Sequence, residues 1–347
     1  MARYIADGYD VVTKFCADAD VYIVNTCAVT SHAEKKSRNI VSRVSRAVDE
    51  RNAGRGGTTL IVCGCARDLV GGEHTGEKKA ISGGAGDNAK KNEIRSGADV
   101  LARGIFAVQT RKRAFIKVQD GCNNFCSYCI VPYLRGRSTS RPIADVVAEI
   151  MAIKDNAKPQ GSMLAKNLAE QKNTCAGSNG GADVFLAGDT RGRSCDGLVI
   201  SGIDLSSYGL DIGSNLGALC TAIDGCGLPF ELSSIEVGII KPAFMAILRG
   251  CKNFVPRFHM PLQSGSDRIL RAMNRKYTRA QYLSAIELIR ANYPTAEIST
   301  DVILGFTGET DADLADTYDV INRVKFAKIH TFPYSDRHLE RFNAKRA

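Results

Sequence analysis

The chain has 347 residues, 46 Lys+Arg against 37 Asp+Glu (formal net charge +9), and 44% apolar residues. That length accommodates one large α/β domain with a smaller one, and no apolar run reaches the roughly 18 residues of a bilayer-spanning helix, which argues against a transmembrane helix. The opening MARYIADGYD lacks a basic region followed by an apolar run, so it is not a secretory signal. Twelve cysteines in a long chain without an export signal read as metal ligands or redox groups of a reducing compartment, the cytoplasm, and not as a disulfide framework. The basic surplus suits a polyanionic partner such as RNA.

Residues 1–70 read as a βαβ unit, a small N-terminal α/β domain. Val21–Val24 is a short apolar run of a buried strand, ending in Asn25-Thr26-Cys27. A helix follows, with Ser31 as N-cap and Glu34 at capping-box spacing; Ile40, Val44 and Val48 recur every four residues and face the sheet. Lys35, Lys36, Arg38, Arg43 and Arg46 fall mostly elsewhere on it. A second run, Leu60–Val62, leads into Cys63-Gly64-Cys65, so two parallel strands each end in a cysteine, at the edge where open α/β sheets gather ligands. The stretch 71–107 reads as a linker, its first thirty or so residues rich in Gly, Lys, Asn and Asp.

From 108 to 347 strands and helices alternate. Phe115–Val118 is a strand and Ile143–Lys154 a helix. Residues 155–197, rich in Gly, Asn and Lys with little periodicity, read as an insertion. Strands resume at Leu198–Ser201, Leu232–Ile235, Arg257–Met260, Ile298–Leu304 and Lys328–Thr331, with helices at Ser266–Asn274, Arg279–Asn292 and Asp311–Val324. Thr278 and Gln281 again have capping-box spacing. Six such units predict a parallel sheet closed into a partial (β/α)6 barrel, with chemistry in the loops at the strand carboxyl ends.

Between the first strand and first helix of this region lies Gly121-Cys122-Asn123-Asn124-Phe125-Cys126-Ser127-Tyr128-Cys129. Three thiolates within eight residues converge on one centre if they act together, and Gly121, Asn123 and Asn124 tolerate the left-handed turns that such wrapping needs. Thiolates are the usual iron–sulfur ligands, and three of them on a four-iron cluster leave one iron open. Structural zinc needs a fourth ligand, and the nearest histidine before the loop is His74. Three buried thiols are the plain alternative. Cys175, Cys195, Cys220, Cys226 and Cys251 have no ligand spacing.

Cys-x3-Cys-x2-Cys is the radical-SAM signature. The run from Val118 through Tyr133 and Arg135-Gly136-Arg137 closely resembles the methylthiotransferases, most strongly the type that modifies threonylcarbamoyladenosine in tRNA. Asn25-Thr26-Cys27, Ser201–Gly209, Met260–Asp267, Asp301–Thr310 and His330–Ser335 carry the same resemblance. It implies a 4Fe–4S cluster on Cys122, Cys126 and Cys129, whose open iron binds S-adenosylmethionine (SAM). Gly202, Asp204, Ser234, Glu236 and Gln263, at strand ends, become SAM-site candidates.

The resemblance also implies a second, auxiliary 4Fe–4S cluster that delivers sulfur, with Cys27 and Cys65 matching two of its three ligands. The first ligand would stand on an earlier strand, ahead of where this chain starts, and the chain ends before the small β-barrel RNA-binding (TRAM) domain that family members carry. The implied reaction is transfer of a methylthio group to carbon 2 of a modified adenosine in the tRNA anticodon loop, with one SAM giving methyl and another the radical. An electron donor such as flavodoxin or ferredoxin is expected. Arg135, Arg137 and Arg141 are candidate phosphate contacts, and Tyr128 and Tyr133 candidate stacking platforms. Alternative readings are transfer to isopentenyladenosine in tRNA or to a ribosomal-protein aspartate, or a truncated remnant without catalysis.

Overall fold

The computed structural model describes residues 15–16, 19–54, 57–65, 113–156 and 195–337. The expected linker at 71–107 and nearly all of the expected insertion at 155–197 lie outside the described residues.

The N-terminal unit pairs β1 (Val21–Thr26) with β2 (Thr59–Gly64) in parallel, connected by the helix α1 (Ser31–Gly54). Alternation along β1 buries Tyr22 and Val24, which pack with Val62 against Val41, Val44 and Val48 of α1. The expected inner row differs at its first position. Val41 is buried and Ile40 only partly so, because 3.6 residues per turn brings positions 41, 44 and 48 onto one line. The cap also differs from expectation: the Thr30 hydroxyl, not Ser31, accepts from the Ala33 amide at 3.1 Å. Ser31 and Glu34 are thereby released for contacts elsewhere.

The second body begins with β3 (Arg113–Lys117), a short ladder of β4 (Gln119–Asp120) against β5 (Thr139–Ser140), and the helices α2 (Val131–Arg135) and α3 (Ile143–Asn156). There follow β6 (Gly197–Ser201), α4 (Leu216–Asp224), β7 (Phe230–Leu232), α5 (Pro242–Gly250) and β8 (Arg257–His259). The last part comprises α6 (Asp267–Ala272), α7 (Arg279–Asn292), β9 (Glu297–Leu304), α8 (Asp311–Val324) and β10 (Lys328–Pro333). Strands β3, β6 and β7 pair in parallel, as do β8, β9 and β10. Parallel bridges Phe230↔Phe254 and Ser234↔His259 join the two sets in the order β3-β6-β7-β8-β9-β10. This is the partial (β/α)6 barrel that the strand–helix alternation predicts.

Strand alternation assigns the two faces. Ile116, Leu198, Ile200, Phe230, Phe258, Ile298 and Val302 enter one core with Leu219, Met245, Leu248, Ile286 and Ile289 of the helices. Each such fully buried aliphatic or aromatic side chain stabilises the fold by about 1.5–3 kcal/mol. The alternate residues face the inner side. There Arg113, Glu231, Arg257 and Glu297 form a continuous chain of ion pairs across β3, β7, β8 and β9. The Arg257–Glu297 pair, at 2.9 Å, also coincides with a register pair of the ladder.

Candidate functional site

The loop carrying Cys122, Cys126 and Cys129 is fixed at its base by one buried side chain. The Gln119 amide nitrogen donates to the carbonyls of Asp120 and Gly121 and to the Ser138 hydroxyl, at 2.8–2.9 Å, and its oxygen accepts from the Asp204 amide at 2.8 Å. Gly121 has φ +71°, and a Cβ there would lie 2.0 Å from the Arg137 carbonyl oxygen, so only glycine fits. The second left-handed residue is Phe125 (φ +48°), not Asn123 or Asn124 as the composition of the loop predicts. Context holds it there. The Asn274 side chain donates to the Phe125 carbonyl at 2.9 Å, the Arg137 guanidinium lies 4.7 Å above the ring, and Tyr133 meets it edge-on. Ser127 is tied to the end of α6 by its amide, to the Met273 carbonyl, and by its hydroxyl, to that of Ala272.

Clamped this way, the three thiols feel one another. Burial pushes the Cys122 thiol up to about 12, with Asp204, Cys129 and Cys126 adding to it. Burial likewise pushes Cys129 up to about 11, with Cys126 raising it further. As free thiols both stay protonated at neutral pH; a bound metal replaces those protons and supplies the missing positive charge. One compensating cation is already built in. Arg275 Nη1 donates to Cys126 Sγ at 3.3 Å, and the same guanidinium pairs with Glu236. Burial works to lower the Arg275 pKa, but Tyr277 and Glu236 outweigh it, so the side chain stays charged.

Beside Cys126 opens a cleft of about 170 Å³ whose wall includes Asn124, Asp204, Ser206, Glu236 and Arg275. Asn124 donates from its backbone to Cys122 Sγ at 3.4 Å and from its side chain to Asp204 Oδ2 at 3.2 Å. Of the expected cofactor residues, Asp204 and Glu236 line this cleft, and Gly202, Ser234 and Gln263 stand apart from its wall. Gly202 is placed so that a Cβ would press on Gln119, at 2.9 Å from its side-chain oxygen. Ser234 bridges to His259, and Gln263 turns the chain after β8 with φ +63°.

Cys27 and Cys65 directly follow the register pair Thr26↔Gly64, so they end adjacent strands. Cys27 is exposed and Cys65 buried. Arg135 Nε donates to Cys65 Sγ at 2.9 Å while its Nη1 pairs with Asp120 at 3.0 Å, and Cys65 lies close enough to Cys129 to raise its pKa. The carboxyl ends of β1 and β2 thus face the cysteine loop of the barrel. The Cys63 thiol is engaged elsewhere: its Sγ donates to the Val24 carbonyl at 3.6 Å.

Two of the three arginines expected to meet phosphates are committed internally. Arg141 is buried against Glu149 at 2.6 Å, and Arg135 is engaged as described. Arg137 is exposed. Tyr128 packs with Ile269, Met273 and Phe306, and is no open stacking platform. Sequence reasoning missed Arg275, Asn274 and Gln119, which come to the loop from outside its motif; only Gln119, two residues before Gly121, gave a local signal.

Family models match at two places: the Radical SAM superfamily over residues 199–321, and the uncharacterized protein family UPF0004 over residues 1–82. The threonylcarbamoyladenosine tRNA methylthiotransferase MtaB of Chlamydia pneumoniae is 35% identical to the chain over 344 residues, 95% of this chain and 69% of the relative. The chain belongs to the radical-SAM methylthiotransferases. MtaB of Aquifex aeolicus is 31% identical, with 96% and 76% of the two chains covered. The tRNA-2-methylthio-N(6)-dimethylallyladenosine synthase of Maricaulis maris is 30% identical, with 92% and 68% covered. Among solved structures, the radical SAM methyltransferase TsrM of Kitasatospora setae matches with TM-score 0.54 at 12% identity, over 92% of this chain and 66% of that one. That likeness concerns the fold of the methylthiotransferase alone. A radical-SAM methylthiotransferase is a transferase that uses SAM and a 4Fe–4S cluster together with a further cluster.

Proposed function

We propose that this methylthiotransferase attaches a methylthio group to carbon 2 of N6-threonylcarbamoyladenosine next to the anticodon of tRNA. The observation that carries the reading is the three-cysteine loop, with Cys122 and Cys126 buried and Cys129 partly so, opening directly onto a polar cleft. Cys122, Cys126 and Cys129 would hold the SAM-binding cluster. When bound, that cluster supplies the electron that cleaves a carbon–sulfur bond of SAM.

The chain's own residues do the rest. Asp204 and Glu236 turn carboxylates into the cleft, where the ammonium and hydroxyl groups of the cofactor find acceptors. Arg275 neutralises thiolate charge at Cys126. Gln119 and Asn124 hold loop and Asp204 in fixed register. Cys27 and Cys65, at the facing strand ends, would hold the sulfur-donating cluster. The partners are the anticodon loop of tRNA and a one-electron donor of the flavodoxin or ferredoxin type, and the place is the cytoplasm. Among the described residues no helix is long and apolar enough to cross a membrane.

Mass spectrometry of tRNA nucleosides from a deletion strain tests the substrate. The 2-methylthio form of threonylcarbamoyladenosine disappears, its unmodified parent accumulates, and a plasmid copy restores it. Loss of 2-methylthio-dimethylallyladenosine instead would assign the enzyme to the other tRNA-modifying branch.

A further inference from the structure

His259, Asp301 and His330 stand on three adjacent parallel strands, β8, β9 and β10. All three face the inner side of the barrel, away from the helix-packed core that takes Phe258, Ile298 and Val302. They lie beyond the Arg257–Glu297 pair, toward the carboxyl ends of the strands. One donor atom from each lies within 4.8 Å of the others. His259 Nε2 is 3.1 Å from Asp301 Oδ2, and His330 Nδ1 is 3.2 Å from Asp301 Oδ1. None of the three touches the cleft beside Cys126, and the cysteine loop does not use them.

We propose that His259, Asp301 and His330 form a binding site for a first-row divalent cation, separate from the iron–sulfur centres. Two imidazoles and one carboxylate are a donor set suited to Mn²⁺, Fe²⁺ or Zn²⁺, with remaining positions open to water or to a ligand oxygen. The ladder provides the preorganisation. His330 is the register partner of Asp301, and His259 sits diagonally across from it, opposite Ser299. Ser299 also meets the second ring nitrogen of His259, Nδ1, at 3.0 Å. An outer partner on the far nitrogen fixes the ring so that Nε2 is the ligand atom, as second-shell groups do in metal sites. Both imidazoles are half-buried, so an ion can enter from the inner face without unfolding a strand.

The test uses Mn²⁺ alone, because it avoids thiols and is read by its own EPR signal. Holoenzyme with oxidised, EPR-silent clusters is treated with a chelator and titrated with MnCl₂. One Mn²⁺ per chain leaves the free six-line signal in wild type. Asp301→Asn and His330→Ala each abolish this uptake while iron content stays at the wild-type level. Glu297→Gln, a carboxylate change on the same strand and face, keeps it. His330 belongs to the outermost strand, so His330→Ala reports even where Asp301→Asn disturbs the sheet. Wild type that takes up no Mn²⁺, or variants that take up as much as wild type, would overturn the site and leave an Asp301 held only by two imidazole hydrogen bonds.

Discussion

Arg275 is the cation placed directly against Cys126. Its guanidinium lies almost wholly inside the protein (side chain 5% exposed), donates to Cys126 Sγ, a proposed cluster ligand, and is held by Glu236. A cation beside a cluster favours the reduced, more negative state. Replacing Arg275 by Gln removes a charged hydrogen bond worth about 1.5–3 kcal/mol, which corresponds to a drop of roughly 65–130 mV in a one-electron midpoint potential. An EPR-monitored redox titration of the reconstituted protein measures this; an unchanged potential would mean that Arg275 only supports the fold. Arg135 has the parallel position at Cys65, where it also spans the two bodies through Asp120. Burial works to raise the Asp120 pKa, but Lys117 and Arg135 outweigh it, so the carboxylate that anchors this bridge stays ionised.

Helix termini explain which elements could be read in advance. Thr278 and Gln281 form the capping box that their spacing announces, and α7 runs over the expected Arg279–Asn292. Thr278→Ala removes one of its two bonds and costs about 1 kcal/mol, seen as a Tm lower by roughly 2–4 °C for a body of this size. A Tm unchanged by the substitution would show the cap to be replaceable by solvent. α8 also matched expectation over Asp311–Val324. α4 and α5 were missed. Leu216–Asp224 is short and apolar on most sides, and its cap is Asn215, whose side chain accepts from Ala218, with no Glu or Gln partner to mark it. Pro242 starts α5 at a position that also suits a turn. The strand expected over Leu232–Ile235 is instead Phe230–Leu232: the Ser233 amide still donates to the Ile200 carbonyl of β6, but Ser234 turns to bridge His259 of β8. Motif spacing made the three cysteines legible. Asn274 and Arg275 were not, because they reach the loop across 149 residues of chain, a separation that no local pattern encodes.

Together the two bodies form one arrangement, with the strand ends of the N-terminal unit turned toward the barrel's cysteine loop. Besides Arg135, a further tie is Arg337, buried and paired with Glu34 of α1, with Ser31 bonded to Arg337 and Ser335. Burial works to raise the Glu34 pKa, but Arg337 and Arg38 lower it further, so the net shift is downward. The pair therefore stabilises the docked state fully above the ordinary glutamate value of 4.5 and loses that contribution as pH falls through the lowered folded value. Glu34→Gln leaves Arg337 buried without its counter-charge, at a cost on the order of 3 kcal/mol at about pH 7. The gap to wild type in urea denaturation narrows as pH falls below 4.5 and closes as pH passes through the lowered folded value. An equal gap at both pH values would assign the loss to packing and not to charge.

In the proposed function the sulfurs of Cys122, Cys126 and Cys129 hold an iron–sulfur cluster that cleaves SAM. Anaerobic reconstitution, reduction with dithionite and assay for 5′-deoxyadenosine test it in wild type and in the triple variant Cys122→Ala/Cys126→Ala/Cys129→Ala. Wild type yields 5′-deoxyadenosine, and the variant yields none and binds about four fewer irons per chain. A triple variant with the iron content of wild type, or a fully loaded wild type that forms no 5′-deoxyadenosine, would contradict it.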